Sequence, residues 1–271
     1  MHVRIYLTII YFSFFIKVFA QNDSAINVQT DSGYYKSFDG TKIYYEARGK
    51  GFPVLLIHGF IVNSSSWKRT PLLTDLVRNG FKVILLDLRG NGKSDKPVNE
   101  EAYANDAEAK DIMGLMNHLQ IKSYDVVGYS RGSIITARLL VLDNRVNKAV
   151  MGGMGTGFTD PQWPRRIMFY EALMGKPVKE LEGAISYVKQ QGLDTQVLAY
   201  LQKYQPSTSP KALGEVHQKV LVISGDQDSD NGSASELAKM FPHAESATVP
   251  GDHNHAAGTK EFSDKVVSFL K

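Results

Sequence analysis

Residues 126–133 read VVGYSRGS: an apolar run ends in a serine set between two glycines. A helix-like segment, Ser133 to Leu142, follows. Gly and Ser are abundant enough that G-x-S-x-G often arises by chance. Its weight depends on the rest of the chain. The stretch before it, YDVVGY (124–129), is almost wholly apolar. A strand without a polar face is one covered on both sides, as in a parallel sheet between helices. Four other runs share this character: VLLIHGF after Pro53, FKVILLD (81–87), VNKAVMGG (146–153) and KVLVISG (219–225).

Helix-like segments separate these runs. Trp67 to Asn79 ends at Gly80, a usual helix stop. Tyr103 to Leu119 sets Ile112, Leu115, Met116 and Leu119 on one face. Ser233 to Phe241 and Lys260 to Leu270 come late in the chain. Tyr34 to Phe38 and Lys42 to Ala47 are strand-like and joined by the turn pair Asp39-Gly40. The alternation predicts an α/β fold with a mostly parallel central sheet and helices on both faces. Residues 156–218 break the rhythm. They contain three helix-like stretches and no strand, which is too long for a plain connection. The expectation is a helical lid inserted over the sheet's C-terminal edge.

The 271 residues, 43% apolar and 22% charged, suffice for one large core. Formal net charge is +3, and two of those positive charges, Arg4 and Lys17, fall in the first twenty residues. No basic stretch alternates with aromatics, so nucleic acid is not an expected partner. The N-terminus has a short positive head, an apolar run from Ile5 to Ile16, and Val18-Phe19-Ala20 before Gln21. This is the shape of a secretory signal peptide. The run is short for a membrane span, which needs about 20 residues. The expected organisation is a signal peptide over 1–20, a loose leader over 21–33, and one domain over 34–271 with the insertion at 156–218. The protein is then exported, periplasmic or secreted, with no stable membrane span after cleavage. The alternative is a tether formed by the uncleaved segment. The sequence has no cysteine, which excludes disulfides, thiolate metal sites and a cysteine nucleophile.

The functional edge of such a sheet lies beyond the carboxyl ends of its strands. There the loops hold HGF (58–60), GYSRG (128–132), GDQD (225–228) and PGDH (250–253). A serine hydroxyl needs a base to take its proton. His253 and His255 both lie in the loop after Thr248-Val249. A zinc reading of His253-x-His255 lacks a further ligand cluster. The base in turn needs an acid to orient it. Asp226, Asp228 and Asp230 compete in one loop, and Asp252 adjoins His253.

These motifs, in this order, resemble the α/β-hydrolase family over nearly all of residues 34–271. DLRGNGKSD (87–95) resembles the family's loop after the fourth strand. The nucleophile elbow and the order Ser, acid, His belong to that fold. The resemblance implies Ser130 as nucleophile, Asp228 as acid through the pattern Gly-x-x-Asp, and His253 as base through Pro-Gly-x-His. It also implies oxyanion donors at the backbone N–H groups of Phe60 and Arg131, and a structural role for His58. The expected activity is hydrolysis of a carboxylic ester or related small acyl compound, with no cofactor or metal. A lactonase, a perhydrolase or a carbon–carbon bond hydrolase would use the same triad. A binding protein on this scaffold is the non-enzymatic alternative. The Arg131 side chain reads as an ion pair with a neighbouring acid and Arg165-Arg166 as solvated, the alternative for each being attraction of an acidic substrate. Trp67 reads as packing its helix on the sheet.

Overall fold

A computed structural model describes residues 30–271. The expected signal peptide and the leader up to residue 29 lie outside the described residues. Among the described residues eight strands form one sheet: β1 Thr30–Lys36, β2 Lys42–Arg48, β3 Phe52–Ile57, β4 Phe81–Leu86, β5 Tyr124–Tyr129, β6 Val146–Gly152, β7 Lys219–Gly225 and β8 Ala244–Val249. Their order is β1-β2-β4-β3-β5-β6-β7-β8. The pairs β1/β2 and β2/β4 are antiparallel. All later pairs are parallel.

Nine α-helices accompany them among the described residues. They are α1 Pro71–Arg78, α2 Ala107–His118, α3 Arg131–Leu142, α4 Pro164–Leu173, α5 Glu182–Gln190, α6 Thr195–Lys203, α7 Pro210–Gly214, α8 Ala234–Ala238 and α9 Lys260–Leu270. Successive side chains of a strand point to opposite faces. In β3, Leu55 and Ile57 belong to the buried cluster that also holds residues of α2, α3 and α8. Val54 and Leu56 pack with residues of α1 and α9. All four are fully buried, so the strand reads as an unbroken apolar run. Each such side chain contributes roughly 1.5–3 kcal/mol relative to exposure.

Some boundaries differ from the sequence reading. β1 begins at Thr30, within the expected leader, because backbone pairing continues from Lys36↔Lys42 to Thr30↔Arg48 although those first residues are exposed. The segment from Trp67 is two helices. A 3-10 turn spans Ser64–Arg69 and is capped by the Asn63 side chain, and α1 begins at Pro71. Proline lacks the N–H that a continuing helix requires, but it suits a first helical position. The α2 helix starts at Ala107 rather than Tyr103, since Asn105 and Asp106 both take positive φ.

Between β6 and β7 the chain is helical, as expected for 156–218: α4, α5, α6 and α7 all fall there. This segment has a small core of its own, in which Leu173, Val188, Val197 and Leu201 are buried. Phe60 and Ile61, from the loop after β3, pack against it. No helix among the described residues is long and apolar enough to cross a membrane.

Candidate active site

The β5–α3 turn holds Ser130 at φ 54°, ψ −121°, a conformation costly for a non-glycine residue by about 1–3 kcal/mol. Neighbouring bonds hold it there. Ser130 N–H donates to Gly152 O at 2.8 Å. Ser133 Oγ donates to Gly128 O at 3.0 Å or to Gly152 O at 2.8 Å. The flanking glycines are required by contact. A Cβ on Gly128 would lie 2.2 Å from Gly132 O, and one on Gly132 would lie 2.3 Å from Ile57 O. The elbow is therefore wedged against β3, with Ser130 before the first residue of α3. The positive end of that helix favours negative charge developing beside it.

Two loops bring the partners in. After β7, Asp228 N–H donates to Gly225 O. After β8, Gly251 N–H donates to Asp226 Oδ1 at 2.9 Å, and Gln227 N–H to Gly251 O at 3.1 Å. A Cβ on Gly225 would lie 1.9 Å from Gly251 O, so the backbones of the two loops are in direct contact there. The result joins three residues separated in sequence. His253 Nδ1 lies 2.9 Å from Asp228 Oδ2, and His253 Nε2 lies 3.0 Å from Ser130 Oγ. An ionised carboxylate only accepts, so in this arrangement Nδ1 carries the proton and Nε2 accepts from the serine hydroxyl. The Asp228 side chain is 3% exposed and the His253 side chain 15%.

The competing acids have other partners. Asp226 ties the two loops together. Asp230 N–H donates to Asp228 Oδ1 at 3.2 Å, while its carboxylate faces Arg165 Nη2 at 3.5 Å. Asp252 accepts from the N–H groups of Asn254 and His255 and from His255 Nδ1 at 2.7 Å. That bond to His255 lowers the Asp252 pKa, and both side chains are exposed. His255 is thus engaged by Asp252, whereas it is His253 that contacts Ser130. Among the described residues no group of three or more His, Asp or Glu could hold a metal ion.

His58 is buried, and burial pushes its pKa down. Its Nε2 accepts from Leu88 N–H at 3.1 Å, so Nδ1 donates to Gly59 O at 2.8 Å. In a trans peptide the N–H points opposite to the C=O. Phe60 N–H therefore lies on the side of its peptide plane away from His58. The loop after β4 braces this segment further. Asp87 accepts from Ser64 N–H at 2.9 Å and from Lys93 N–H at 2.7 Å.

Two cavities meet at the serine. One of about 340 Å³ is bounded by Trp67, Arg69, Thr70 and Tyr129. The other, about 320 Å³, is bounded by Arg131, Ile134, Trp163, Phe169 and Leu181. Phe60, Ser130, His253 and Asn254 line both. The helical insertion thus forms one wall. Trp67 is buried and packs with α1 and the sheet, as expected.

Arg131 makes the expected ion pair, bidentate to Glu108 at 2.5 and 2.6 Å, and also donates to Leu201 O of α6 at 2.9 Å. Arg166 is not simply solvated. It donates to Gln202 O, Lys203 O and Pro161 O, and burial lowers its pKa. The sequence reading missed two neighbours of the imidazole. Tyr129 Oη donates to His253 O at 2.8 Å, and Asn231 Nδ2 lies 3.5 Å from His253 Nδ1 while donating to Gly153 O. No sequence signal marks contacts 124 and 22 residues apart.

Residues 53–176 match a family model described as alpha/beta hydrolase fold. A putative non-heme chloroperoxidase of Synechocystis sp. is 40% identical over 111 residues, 40% of this chain and 39% of that protein. A 2-hydroxy-6-oxononadienedioate/2-hydroxy-6-oxononatrienedioate hydrolase of Paraburkholderia xenovorans is 32% identical over 142 residues, 50% of this chain and 49% of that protein. The chain thus spans about two fifths to half the length of these curated relatives. Among solved structures, an esterase from Exiguobacterium antarcticum aligns with a TM-score of 0.72 at 21% identity, over 89% of this chain and 99% of that one. An enol-lactonase from Burkholderia xenovorans aligns with a TM-score of 0.73 at 20% identity, over 88% and 99%. At such identities the likeness concerns the fold.

Proposed function

The chain is a protein of the α/β-hydrolase fold, and from that premise we propose that it is a serine hydrolase of carboxylic esters or related small acyl compounds. The observation that carries this reading is the continuous relay from Asp228 through His253 to Ser130, at 2.9 and 3.0 Å, opening on both cavities. Ser130 Oγ attacks the acyl carbon while His253 Nε2 takes its proton. Asp228 stabilises the imidazolium and keeps the ring oriented. The N–H groups of Phe60 and Arg131 receive the charge that develops on the carbonyl oxygen. Collapse breaks the bond to the leaving alcohol, which takes the proton from His253, and an acyl-enzyme remains. Water then repeats the attack with His253 as base, releasing the acid and restoring Ser130. No cofactor is required by these steps.

A serine at the elbow does not supply the carboxylate nucleophile of an epoxide hydrolase. On the side of the insertion the cavity sets the apolar Ile134, Trp163, Phe169 and Leu181 beside the charged Arg165, Glu180 and Asp230, which supports a small acyl group of mixed polarity. We propose further that residues 1–20 direct export, which N-terminal sequencing of the mature protein tests.

The test of the catalytic reading is labelling with a fluorophosphonate, followed by a panel of aryl esters and lactones. Covalent modification at Ser130 and turnover of short esters are expected. Ser130→Ala should lower kcat by at least about 10⁴-fold with the fold intact. Undiminished turnover in that variant sinks the triad. Turnover of lactones without open-chain esters would move the assignment to a lactonase.

A further inference from the structure

Tyr129 is the residue between Gly128 and Ser130, and its side chain crosses to the histidine loop. Its hydroxyl donates to the backbone oxygen of His253 at 2.8 Å. Its ring lies 5.5 Å from the imidazole at an interplanar angle of 38°. On another side it meets the ring of Phe262 nearly edge-on, 5.8 Å between centroids. The chain makes room for it with a pair of glycines. A Cβ on Gly152 would lie 2.6 Å from the Tyr129 ring, and one on Gly153 would lie 2.8 Å from it. The Gly-Gly at the end of β6 thus forms a slot shaped for this side chain. Burial pushes the phenol pKa up, so the hydroxyl remains a donor at neutral pH.

The two ends of the Ser130–His253 contact are secured differently. Ser130 is fixed by its own backbone within the sheet. His253 lies in a succession of turns whose main-chain bonds to the acid loop are made at Gly251, two residues earlier, while its ring is bonded to Asp228. The Tyr129 hydroxyl reaches residue 253 itself. Both reacting groups are thereby referred to adjacent residues, 129 and 130, at one strand end.

We propose that Tyr129 is a positioning residue, whose hydrogen bond to the His253 carbonyl holds the imidazole at reach of Ser130. This rests on reading Ser130 and His253 as the reacting pair. A misplacement near 1 Å at a reacting centre can cost about 100-fold in rate.

Tyr129→Phe removes one oxygen and keeps the ring in its slot. The expected result is a kcat lower by about 10-fold or more, with KM within about twofold. The Nδ1 proton shared by His253 and Asp228 supplies a second reading. It is followed in the downfield ¹H NMR spectrum, well below the melting temperature, so any loss of stability does not mask it. Faster exchange or an upfield move of that resonance in Tyr129→Phe supports the proposal. A kcat within twofold of wild type overturns it, as does a lowered kcat with the resonance unchanged. Fluorophosphonate labelling of the wild type is the separate control. If Ser130 is not labelled, the catalytic reading fails, whereas the resonance still reports whether Tyr129 holds His253.

Discussion

The loops around Ser130 and the helical insertion face the same cavity but are held in different ways. The loops meet at close backbone approaches, to which Asp226 and the Asp228–His253 pair add side-chain bonds. Gly128 against Gly132, Gly132 against Ile57, and Gly225 against Gly251 are approaches too close for any Cβ. The insertion meets the rest through side chains: Phe60 edge-on to Phe169, Arg131 to Leu201 O, and Arg165 opposite Asp230. Backbone contacts leave little freedom, since each shift must move a strand or helix. Side-chain contacts can be exchanged while the backbone stays. The difference teaches that Ser130, Asp228 and His253 are placed by the sheet and its loops, whereas the insertion supplies one wall of the cavity beside them. Arg131 is the buried bridge between the two, held by Glu108 and touching α6.

The same substitution in the two regions should therefore act with opposite sign. Gly132→Ala puts a methyl group where Ile57 O stands, so α3 must move off β3. Turnover is expected to fall about 100-fold or more, by the positional sensitivity of a reacting pair. The melting temperature should fall as well. Gly183→Ala, in α5, meets nothing within 4 Å. It should leave kcat alone and raise stability by about 0.5–1 kcal/mol, because alanine loses less backbone entropy in a helix. Calorimetry and ester kinetics on both variants decide the matter. Equal effects at the two sites would break the distinction.

A smaller effect concerns pH. His58 is buried and its pKa is lowered from the ordinary 6.5 by that burial. Below about pH 6.5 the unfolded chain binds a proton here that the folded chain does not. Stability contributed by neutral His58 is thus fully present above that value. It is lost as pH falls toward the lower folded value, at up to about 1.4 kcal/mol per pH unit. The melting temperature should decline between about pH 6.5 and 5, and His58→Asn should flatten that decline. An identical pH slope in the variant would show that the decline has another source.

How far this division was legible in the sequence follows from the same physics. VVGYSRGS could be read as strand, turn and helix because an apolar run and flanking glycines are local signals. Spacing alone left several acids and two histidines open; the resemblance to the α/β-hydrolase family singled out Asp228 and His253, and the structure brings both to Ser130. The insertion's helical character showed in its periodicity and its Gly and Pro breaks. The start of β1 did not show, since Thr30–Gly33 is polar and is placed only by pairing with a strand further on. Tyr129's bond to His253 O was equally invisible, because it depends on where two distant loops meet. Arg166 looked like a surface charge. Its partners are backbone oxygens at the end of α6, and backbone oxygens carry no mark in a sequence.

The smallest effect tests the boundary between the regions. Arg165 faces Asp230 at 3.5 Å, with side chains 31% and 48% exposed, and its guanidinium lies over Phe169 at 5.4 Å. An exposed pair of this kind contributes about 0–1 kcal/mol. Yet Asp230 N–H donates to Asp228 Oδ1, so this contact also gives the insertion a route to the acid of the relay. If the sheet alone places the reacting groups, Arg165→Ala should change kcat for a short aryl ester by less than about twofold, within the small worth of such a pair. A change in KM is compatible with that result, because Arg165 also lines the cavity. A tenfold loss of kcat would show instead that the insertion helps hold Asp228, and the two regions would have to be treated as one device.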